Sequence, residues 1–298
     1  MTDKSKKLLL VGDNPFHGIS HLSQERARAR GDAIDDADYA AKLVEMSLEN
    51  GADGFMFSVS EKTLSTLRIL QEKSGDINPE LYAIVPYAYE LVRVATRLGT
   101  TGLAKKIGKQ VVLSGNLRAI VSGLNGVVRM DPVAIMKTYI MYEISRIREA
   151  AGKGQNLVSV MLHEVLTDMF LALDLNWLFK EYVHFMEGLG LKPGFETRNF
   201  AFLVSKFKEW DIDFSNIVIT APFNKMGFQM NPSREECEKA LEGIPECDVI
   251  AMSILAAGYI QLPEAAAYIK NLLNLRGMVI GVSKERHAIE TFGFLKSI

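Results

Sequence analysis

Side chains that can transfer protons follow the first apolar run of the sequence. Residues 8–24 read LLLVGDNPFHGISHLSQ, in which three leucines and a valine lead into Asp13, Asn14 and His17. A histidine titrates near neutral pH, and a neighbouring carboxylate or amide can orient it for proton transfer. Asx-Pro is also a common turn former, so local capping by Asp13 or Asn14 is an equal alternative. The sequence predicts either an acid–base site or a capped turn at this point.

Eight short apolar runs alternate with segments of helical periodicity, which is typical of repeated βα units and a parallel sheet. The predicted strands are residues 8–12, 54–58, 81–86, 157–162, 192–196, 217–221, 248–253 and 278–282. Eight units of this length predict an α/β fold, a (β/α)8 TIM barrel in which residues 1–298 form one domain. A doubly wound sheet is the alternative, but GDNPFHG lacks the GxGxxG spacing expected after its first strand.

The spacing is irregular only between the third and fourth predicted strands. Residues 88–154 contain two helical stretches and an apolar segment interrupted by glycines, which is more than one barrel helix needs. We expect a helical excursion here that forms either a lid over the barrel mouth or an interface in a homo-oligomer. Extra helices packed on the outside of the barrel are the alternative.

The active site of such a barrel lies at the C-terminal ends of its strands. The candidate side chains that follow the predicted strands are Asp13, Asn14, His17, His163, Glu164, Glu196, Thr197, Arg198, Asn199, Asn224, Lys225, Ser253, Ser283, Lys284 and Arg286. Because these strand ends converge on one opening, we expect one cleft. His163, Asp13, His17 and Glu164 are its predicted catalytic residues, and Asn14, Arg198 and Asn224 its predicted substrate-binding residues.

Several of these candidates also have purely structural explanations. His163 follows three apolar residues and could be a hydrogen-bonded core histidine, although its position at a strand end favours the site. Glu164 fits a first-turn helix acid better than a general base. Arg198 could hold a substrate carboxylate or phosphate through two parallel hydrogen bonds, or it could form a salt bridge across the mouth.

A metal site is conceivable from Asp13, His17, His163 and Glu164, since imidazoles and carboxylates suit zinc or manganese. No short-range ligand spacing supports such a site, so a divalent metal is the less favoured cofactor and no metal ligand is predicted. The sequence supports an anion-binding site, in the loops after the last two predicted strands, better than it supports a metal site. Gly258 allows close backbone approach, and Ser283 is expected to begin a helix with Lys284 and Arg286 in its first turn.

The C-terminal half resembles the aldo-keto reductases. VSVMLHEVLTD resembles the family's fourth strand with His163 as its terminal histidine, and GFETRNFAFL resembles its fifth strand with Asn199 where the family holds the nicotinamide amide. DVIAMSILAAGYI, with Ser253 and Gly258, resembles the seventh strand and its loop, and MVIGVSKERHAIETF the eighth. The resemblance implies NADP as cofactor, with Ser283 and Arg286 at its phosphate and Glu290 at its adenosine end.

The N-terminal half departs from that family pattern. The family carries an Asp and a Tyr after its second strand and a Lys at its third. GADGFMFSVSEKTL contains neither the Asp nor the Tyr at the matching positions, and LYAIVPYAYE contains no Lys. Of the four catalytic residues only His163 is kept. A proton donor must therefore come from another residue, and Tyr87 and Tyr89 are candidates.

Composition narrows the class of partner. With 36 acidic and 34 basic residues, the chain lacks the basic excess that nucleic-acid binding needs. Two cysteines outside any metal-ligand spacing indicate a reduced, cytoplasmic protein. Residues 111–128 are apolar, but Arg118 and several Asn and Gly interrupt them, so no membrane span is expected. The expected partner is a small molecule.

Three functions remain open from the sequence. The first is an NADP-dependent oxidoreductase of the aldo-keto-reductase type that acts on a small anionic metabolite. The second is a lyase or isomerase that uses Asp13, His17, His163 and Glu164 for proton transfer, with or without a metal. The third is a catalytically inactive barrel that serves as a scaffold, which the polar residues at nearly every strand end argue against.

Overall fold

The computed structural model describes residues 6–18, 36–73, 78–86, 131–152 and 155–297. Tyr87 and Tyr89 lie outside the described residues. Of the predicted excursion over residues 88–154, the structure describes 131–152. Within the part of the chain that the structure describes, no helix is both long and apolar enough to cross a membrane.

Eight parallel strands close into a barrel in chain order, and the last pairs with the first. The strands are β1 (Leu8–Gly12), β2 (Gly54–Ser58), β3 (Glu80–Val85), β4 (Asn156–Leu162), β5 (Lys192–Glu196), β6 (Val218–Pro222), β7 (Asp248–Met252) and β8 (Leu275–Gly281). The predicted (β/α)8 TIM barrel is therefore confirmed. The start of β8 was predicted at Met278, because Arg276 and Gly277 interrupt its apolar run. Gly277 can join the strand because, lacking a Cβ, it lies directly against the backbone of Leu8.

Helices surround the barrel. Those in the described residues are α1 (Ala37–Glu49), α2 (Glu61–Lys73), α3 (Pro132–Ala151), α4 (Glu164–Ala172), α5 (Asn176–Gly188), α6 (Phe200–Glu209), α7 (Arg234–Glu242), α8 (Leu262–Asn271) and α9 (Glu285–Lys296). The side chains of Asp36, Asp131 and Ser233 accept backbone N–H bonds at the starts of α1, α3 and α7. Two helices, α4 and α5, follow β4. The first of them brings its N-terminus to the barrel mouth.

Apolar side chains fill the interior of the barrel. Residues from six strands form this inner cluster: Leu8, Leu10, Met56, Tyr82, Ile84, Met161, Val218 and Ile250. Gly194 on β5 makes room for it, because a Cβ at this position would lie 2.5 Å from Ser159 Oγ and 3.0 Å from Met161 Cα. The interior is therefore a packed core in which position 194 has no space for a side chain.

Polar side chains close the N-terminal end of the barrel. Lys192 at the start of β5 pairs with Asp248 at the start of β7 at 2.5 Å. The Tyr82 hydroxyl donates to the Glu80 carboxylate at 2.7 Å, and burial raises the pKa of Tyr82. These pairs lie towards the N-terminal ends of the strands, with the Tyr82 ring itself part of the inner cluster, whereas the polar residues predicted to form the site follow the opposite ends of the strands.

Candidate active site

The first polar cluster joins β1 to β2. Asp13 directly follows β1 and precedes a 3-10 turn, Asn14–His17, but its side chain does not cap that turn. Instead Asp13 Oδ2 accepts a hydrogen bond from the Ser58 backbone N–H at 2.7 Å and lies 3.1 Å from His17 Nε2. The side chains of Asp13 and His17 are only 5% and 6% exposed. The sequence left capping and an acid–base pair equally open, and the geometry is that of a buried Asp–His pair.

His163 stands between β4 and α4 at the same end of the barrel. Its Nδ1 accepts a hydrogen bond from the Val165 backbone N–H at 3.2 Å, so a neutral ring carries its proton on Nε2. That Nε2 lies 4.0 Å from Oε2 of Glu196. Burial lowers the pKa of His163, which keeps the imidazole neutral at neutral pH. His163 is thus a neutral N–H donor that faces a carboxyl group.

Glu196 ends β5 and has only 14% of its side chain exposed. Its Oε2 accepts the Glu164 backbone N–H at 3.2 Å. Burial raises the pKa of Glu196 to about 8, and the negative charge of Glu164 adds to this shift. A carboxyl with this pKa is largely protonated at neutral pH and can act as a general acid.

An ion pair flanks the His163–Glu196 pair. Arg198 Nε donates to Glu164 Oε2 at 2.6 Å, and the two side chains are 27% and 21% exposed. The positive charge of Arg198 lowers the pKa of both His163 and Glu196, which places the guanidinium near both groups. The charge of Asp13 acts on the same two groups, so the residues after β1, β4 and β5 share one mouth. The salt bridge considered from the sequence for Arg198 is present.

Asp168 on α4 fixes the loop that carries Arg198. It accepts hydrogen bonds from Thr197 Oγ1 at 2.5 Å, from the Arg198 backbone N–H at 3.3 Å and from the Asn199 side chain. Burial raises the pKa of Asp168. Asn199 is also the residue before α6, where its backbone N–H donates to Thr197 Oγ1 at 2.9 Å. The side-chain amide predicted from the resemblance to hold nicotinamide is therefore bound to Asp168.

The other two predicted substrate-binding residues lie in different surroundings. Asn14 is exposed next to Asp13. Asn224 is fully buried, and its amide accepts from the Phe228 N–H at 2.8 Å and donates to the Phe228 carbonyl at 2.9 Å. In this conformation Asn224 closes the loop after β6. Lys225 extends outward and pairs with Glu264 at 2.7 Å.

The loops after β7 and β8 contain the predicted cofactor-binding residues. Ser253 and Gly258 have φ values of 54° and 90°, and the left-handed backbone at Ser253 is unusual for a residue with a side chain. The last helix, α9, begins at Glu285, two residues later than predicted, because Lys284 has extended backbone angles. No side chain caps this helix, and Lys284 and Arg286 are exposed beside its start.

These features fit an anionic group such as a cofactor phosphate. The first N–H groups of a helix attract anions, and here they lack a capping side chain while cations stand next to them. Arg286 Nε pairs with Glu290 Oε1 at 2.6 Å, and the two side chains are 81% and 56% exposed. An exposed pair of this kind is weak and can exchange partners readily. Within the described residues, no group of three or more His, Cys, Asp or Glu side chains has an arrangement that could hold a metal ion.

Glu196 and Asp168 are the residues whose importance the sequence did not reveal. Glu196 was placed at a strand end without a role, since KPGFE has no polar–apolar alternation to show which side chains point inward. Glu196 stands two residues after Gly194, which faces the core. Because alternate residues of a strand face the same side, this spacing could have identified Glu196 as inward-facing. Asp168 lies within a helix and meets the loop before α6 only through tertiary packing.

No protein-family model matches the chain, and no curated protein matches its sequence. Among solved structures, the chain is similar to a crystal structure of a Pseudomonas aeruginosa protein provisionally described as an aldo-keto reductase. The TM-score is 0.57 at 10% sequence identity, and the match covers 99% of this chain and 92% of the other. This similarity shows the fold alone, a (β/α)8 barrel that the chain shares with the matched structure.

Proposed function

We propose that this protein is a carbonyl reductase that uses NADPH to reduce a small anionic metabolite, with Glu196 as the proton donor. The observation that carries the proposal is the position of Glu196 at the mouth, where its pKa of about 8 keeps the carboxyl protonated at neutral pH. A reductase of the aldo-keto type needs an acid to protonate the carbonyl oxygen. The chain lacks the family's Tyr, and Glu196 supplies a proton in its place.

His163 assists Glu196 in this proposal. Its Nε2–H faces the Glu196 carboxyl at 4.0 Å, so a carbonyl oxygen bound between them can accept hydrogen bonds from both. Both groups are neutral before the reaction, and both can donate hydrogen bonds to the oxygen as negative charge develops on it. Glu196 gives up its proton as that charge forms.

Arg198 is the proposed contact for the negative charge of the substrate. Its Nε is held by Glu164 at 2.6 Å, whereas its two Nη groups have no partner among the described residues. A guanidinium of this kind binds a carboxylate through parallel hydrogen bonds. A 2-oxo acid satisfies both requirements, because its carboxylate lies next to the carbonyl that is reduced.

Bound NADPH would supply the hydride. The residues proposed to hold it are Ser253 and Gly258 after β7 and Ser283, Lys284, Arg286 and Glu290 at the start of α9, where the uncapped helix and its cations fit a phosphate. Asn199 requires a change of partner before it can contact a nicotinamide, because its amide is bound to Asp168.

A second candidate function rests on the buried Asp13–His17 pair. Two proton-transferring pairs at one mouth, Asp13–His17 and His163–Glu196, are what a lyase or isomerase needs to remove a proton from one atom and add it at another. This function requires no nicotinamide. It uses the same Glu196 and the same anion contact at Arg198.

Nucleotide binding distinguishes the two functions. Purified protein is titrated with NADPH, and separately with NADH, while the nucleotide fluorescence is followed. We expect saturable NADPH binding that Arg286→Ala weakens about 10-fold, as expected for losing one charge-assisted hydrogen bond. Arg68→Ala, which changes an arginine on α2, is the matched control. Absence of binding at millimolar nucleotide would refute the reductase and leave the second function.

The chemistry is then assayed with a panel of 2-oxo acids by the loss of NADPH absorbance. Glu196→Gln should lower kcat by roughly 10²- to 10⁴-fold, the usual contribution of a general acid, while NADPH affinity stays unchanged. If NADPH does not bind, the same panel is examined for exchange of α-protons with deuterated solvent. Exchange that Asp13→Asn and Glu196→Gln both abolish would support the lyase or isomerase.

A further inference from the structure

A cavity of about 790 Å³ lies at the N-terminal end of the barrel, away from the mouth. It is bounded by the start of β1, the end of α1, and helices α8 and α9. Its floor is apolar and buried: Leu9, Ala52, Ala266, Met278 and Leu295 are at most 8% exposed. The volume falls within the range of small-molecule sites. None of the residues assigned to the mouth lines it.

The rim of the cavity is strongly basic. Among the described residues that line it, four are lysines, Lys6, Lys7, Lys270 and Lys296, and one is an acid, Asp53. Asp53 is already engaged, since its carboxylate accepts from Lys6 Nζ at 3.1 Å and from the Leu9 backbone N–H at 2.9 Å. The described part of the rim therefore carries an excess of positive charge.

Two of these lysines are held in place by their surroundings. Lys7 Nζ donates to carbonyl groups beyond the end of α8, at 3.1 Å to Leu272 and 2.7 Å to Leu275. The stem of Lys296 lies across Gly51, whose φ of +117° suits glycine and where a Cβ would lie 2.6 Å from Lys296 Cδ. Within the described part of the chain, the Lys296 ammonium has neither an ion pair nor a hydrogen bond. Its charge is available to a ligand.

We propose that this cavity is a second binding site that takes an aliphatic carboxylate of medium chain length. The apolar floor accommodates the alkyl chain, and the lysines bind the carboxylate at the rim. The described residues of the lining include no aromatic side chain to stack on a base and no amide or hydroxyl side chain to bind a sugar. Nucleotides and sugar phosphates, which also carry negative charge, are therefore poor matches for this site.

The site is a binding site and not a second catalytic centre. The described residues of its lining include no histidine or cysteine, and its carboxylate, Asp53, is already bound to Lys6 and to the Leu9 backbone N–H. A bound molecule would contact β1, α1, α8 and α9, which join the first and last parts of the chain. Binding to the folded state alone raises stability, so the ligand should raise the thermal midpoint as well as bind.

Isothermal titration calorimetry with sodium decanoate tests the proposal. We expect one saturable site, with decanol and decyltrimethylammonium binding much more weakly because they lack the negative charge. Lys296→Met keeps the stem and removes the charge, and it should weaken decanoate binding about 3- to 5-fold, the value of one exposed ion pair. Leu273→Glu places a negative charge on a rim residue that is 79% exposed, and it should weaken binding by a similar factor.

Lys239→Met on α7, outside the cavity, is the control for loss of a surface lysine, and it should leave the affinity unchanged. The thermal midpoint of each variant without ligand verifies that the protein is folded. The proposal is wrong if decanoate does not bind at millimolar concentration. It is equally wrong if decanol binds as tightly as decanoate, or if neither Lys296→Met nor Leu273→Glu alters the affinity.

Discussion

His163 Nε2 and Glu196 Oε2 face each other at 4.0 Å as two neutral groups. In water, an imidazole and a carboxyl at this distance would form an ion pair at neutral pH. Here burial lowers the pKa of His163 and raises that of Glu196, so the proton stays on the carboxyl. The pair is therefore an acid with a neighbouring N–H donor, and its protonation can be measured without knowing the substrate.

Glu196→Gln should change how stability depends on pH. Glu196 has a pKa of about 8 in the folded protein and 4.5 as the reference value. Between these values the folded state binds more protons than the unfolded state, so the free energy of unfolding decreases as the pH rises. The decrease from this group is at most about 1.4 kcal/mol per pH unit. Urea unfolding from pH 5 to pH 9 should show a flatter curve for Glu196→Gln than for the unmodified protein.

His163 makes the free energy of unfolding depend on pH in the opposite direction. Its folded pKa lies below 6.5, so stability is lost as the pH falls below 6.5 and the unfolded chain takes up a proton. Because His163 is present in both proteins, its contribution largely cancels in the difference between them. Glu72→Gln, which alters an exposed glutamate on α2, should leave the curve unchanged. Parallel curves for the protein and Glu196→Gln would show that Glu196 has an ordinary pKa.

The charges of Glu164 and Arg198 should shift the pKa values of His163 and Glu196 in opposite directions. The charge of Glu164 raises the pKa of both His163 and Glu196, and that of Arg198 lowers both. Glu164→Gln should therefore lower both pKa values, and Arg198→Met should raise both, by up to about one unit. Titration of ¹³C-labelled glutamate and ¹⁵N-labelled histidine signals by NMR measures them. Shifts of the same sign in the two variants would contradict this electrostatic arrangement.

Asp13→Ala should destabilise the protein by about 2 kcal/mol, because it leaves the buried Ser58 N–H and His17 without their shared acceptor. Urea unfolding at pH 7 measures the loss. Asp131→Ala is the matched comparison, since it removes an exposed carboxylate that caps α3, and its expected cost is about 1 kcal/mol. A smaller loss for Asp13→Ala than for Asp131→Ala would mean that Asp13 does not link β1 to β2.

Gly194→Ala should destabilise the fold by about 1–3 kcal/mol, because the new Cβ meets the Met161 backbone and Ser159 inside the barrel. Gly188 provides the control. It is the last residue of α5, a Cβ there meets nothing within 4 Å, and alanine is the better helix former. Gly188→Ala should stabilise by roughly 0.5–1 kcal/mol. Thermal unfolding of both variants provides the comparison, and equal midpoints would contradict the close packing at Gly194.

The barrel was predictable because its signal is repeated. Eight apolar runs at regular spacing leave little freedom in the fold, and the strands differ from their predicted bounds mainly where Arg276 and Gly277 break an apolar run. That His163 and Glu164 follow a strand could be predicted in the same way. The position of a residue along a strand is a local property that the sequence displays.

The chemistry of the mouth was less predictable, because it depends on burial and on contacts between distant elements. The sequence alone does not reveal the pKa of a glutamate. Glu196 is protonated near neutral pH only because β5 buries it near Glu164. Asn224 appeared to be available for a substrate, but its amide turns back on its own loop. Such outcomes follow from the three-dimensional packing of loops, which periodicity does not encode.

The packed interior of the barrel has a consequence for the proton on Glu196. Among the described residues, the inner apolar cluster lies between Glu196 and the Lys192–Asp248 pair at the opposite end, so the exposed part of the Glu196 carboxyl faces the mouth. The mouth is the opening at which a ligand can contact this carboxyl. A molecule that fills the opening removes the remaining water and raises the pKa of Glu196 further. The bound molecule is then the nearest acceptor for the proton on Glu196.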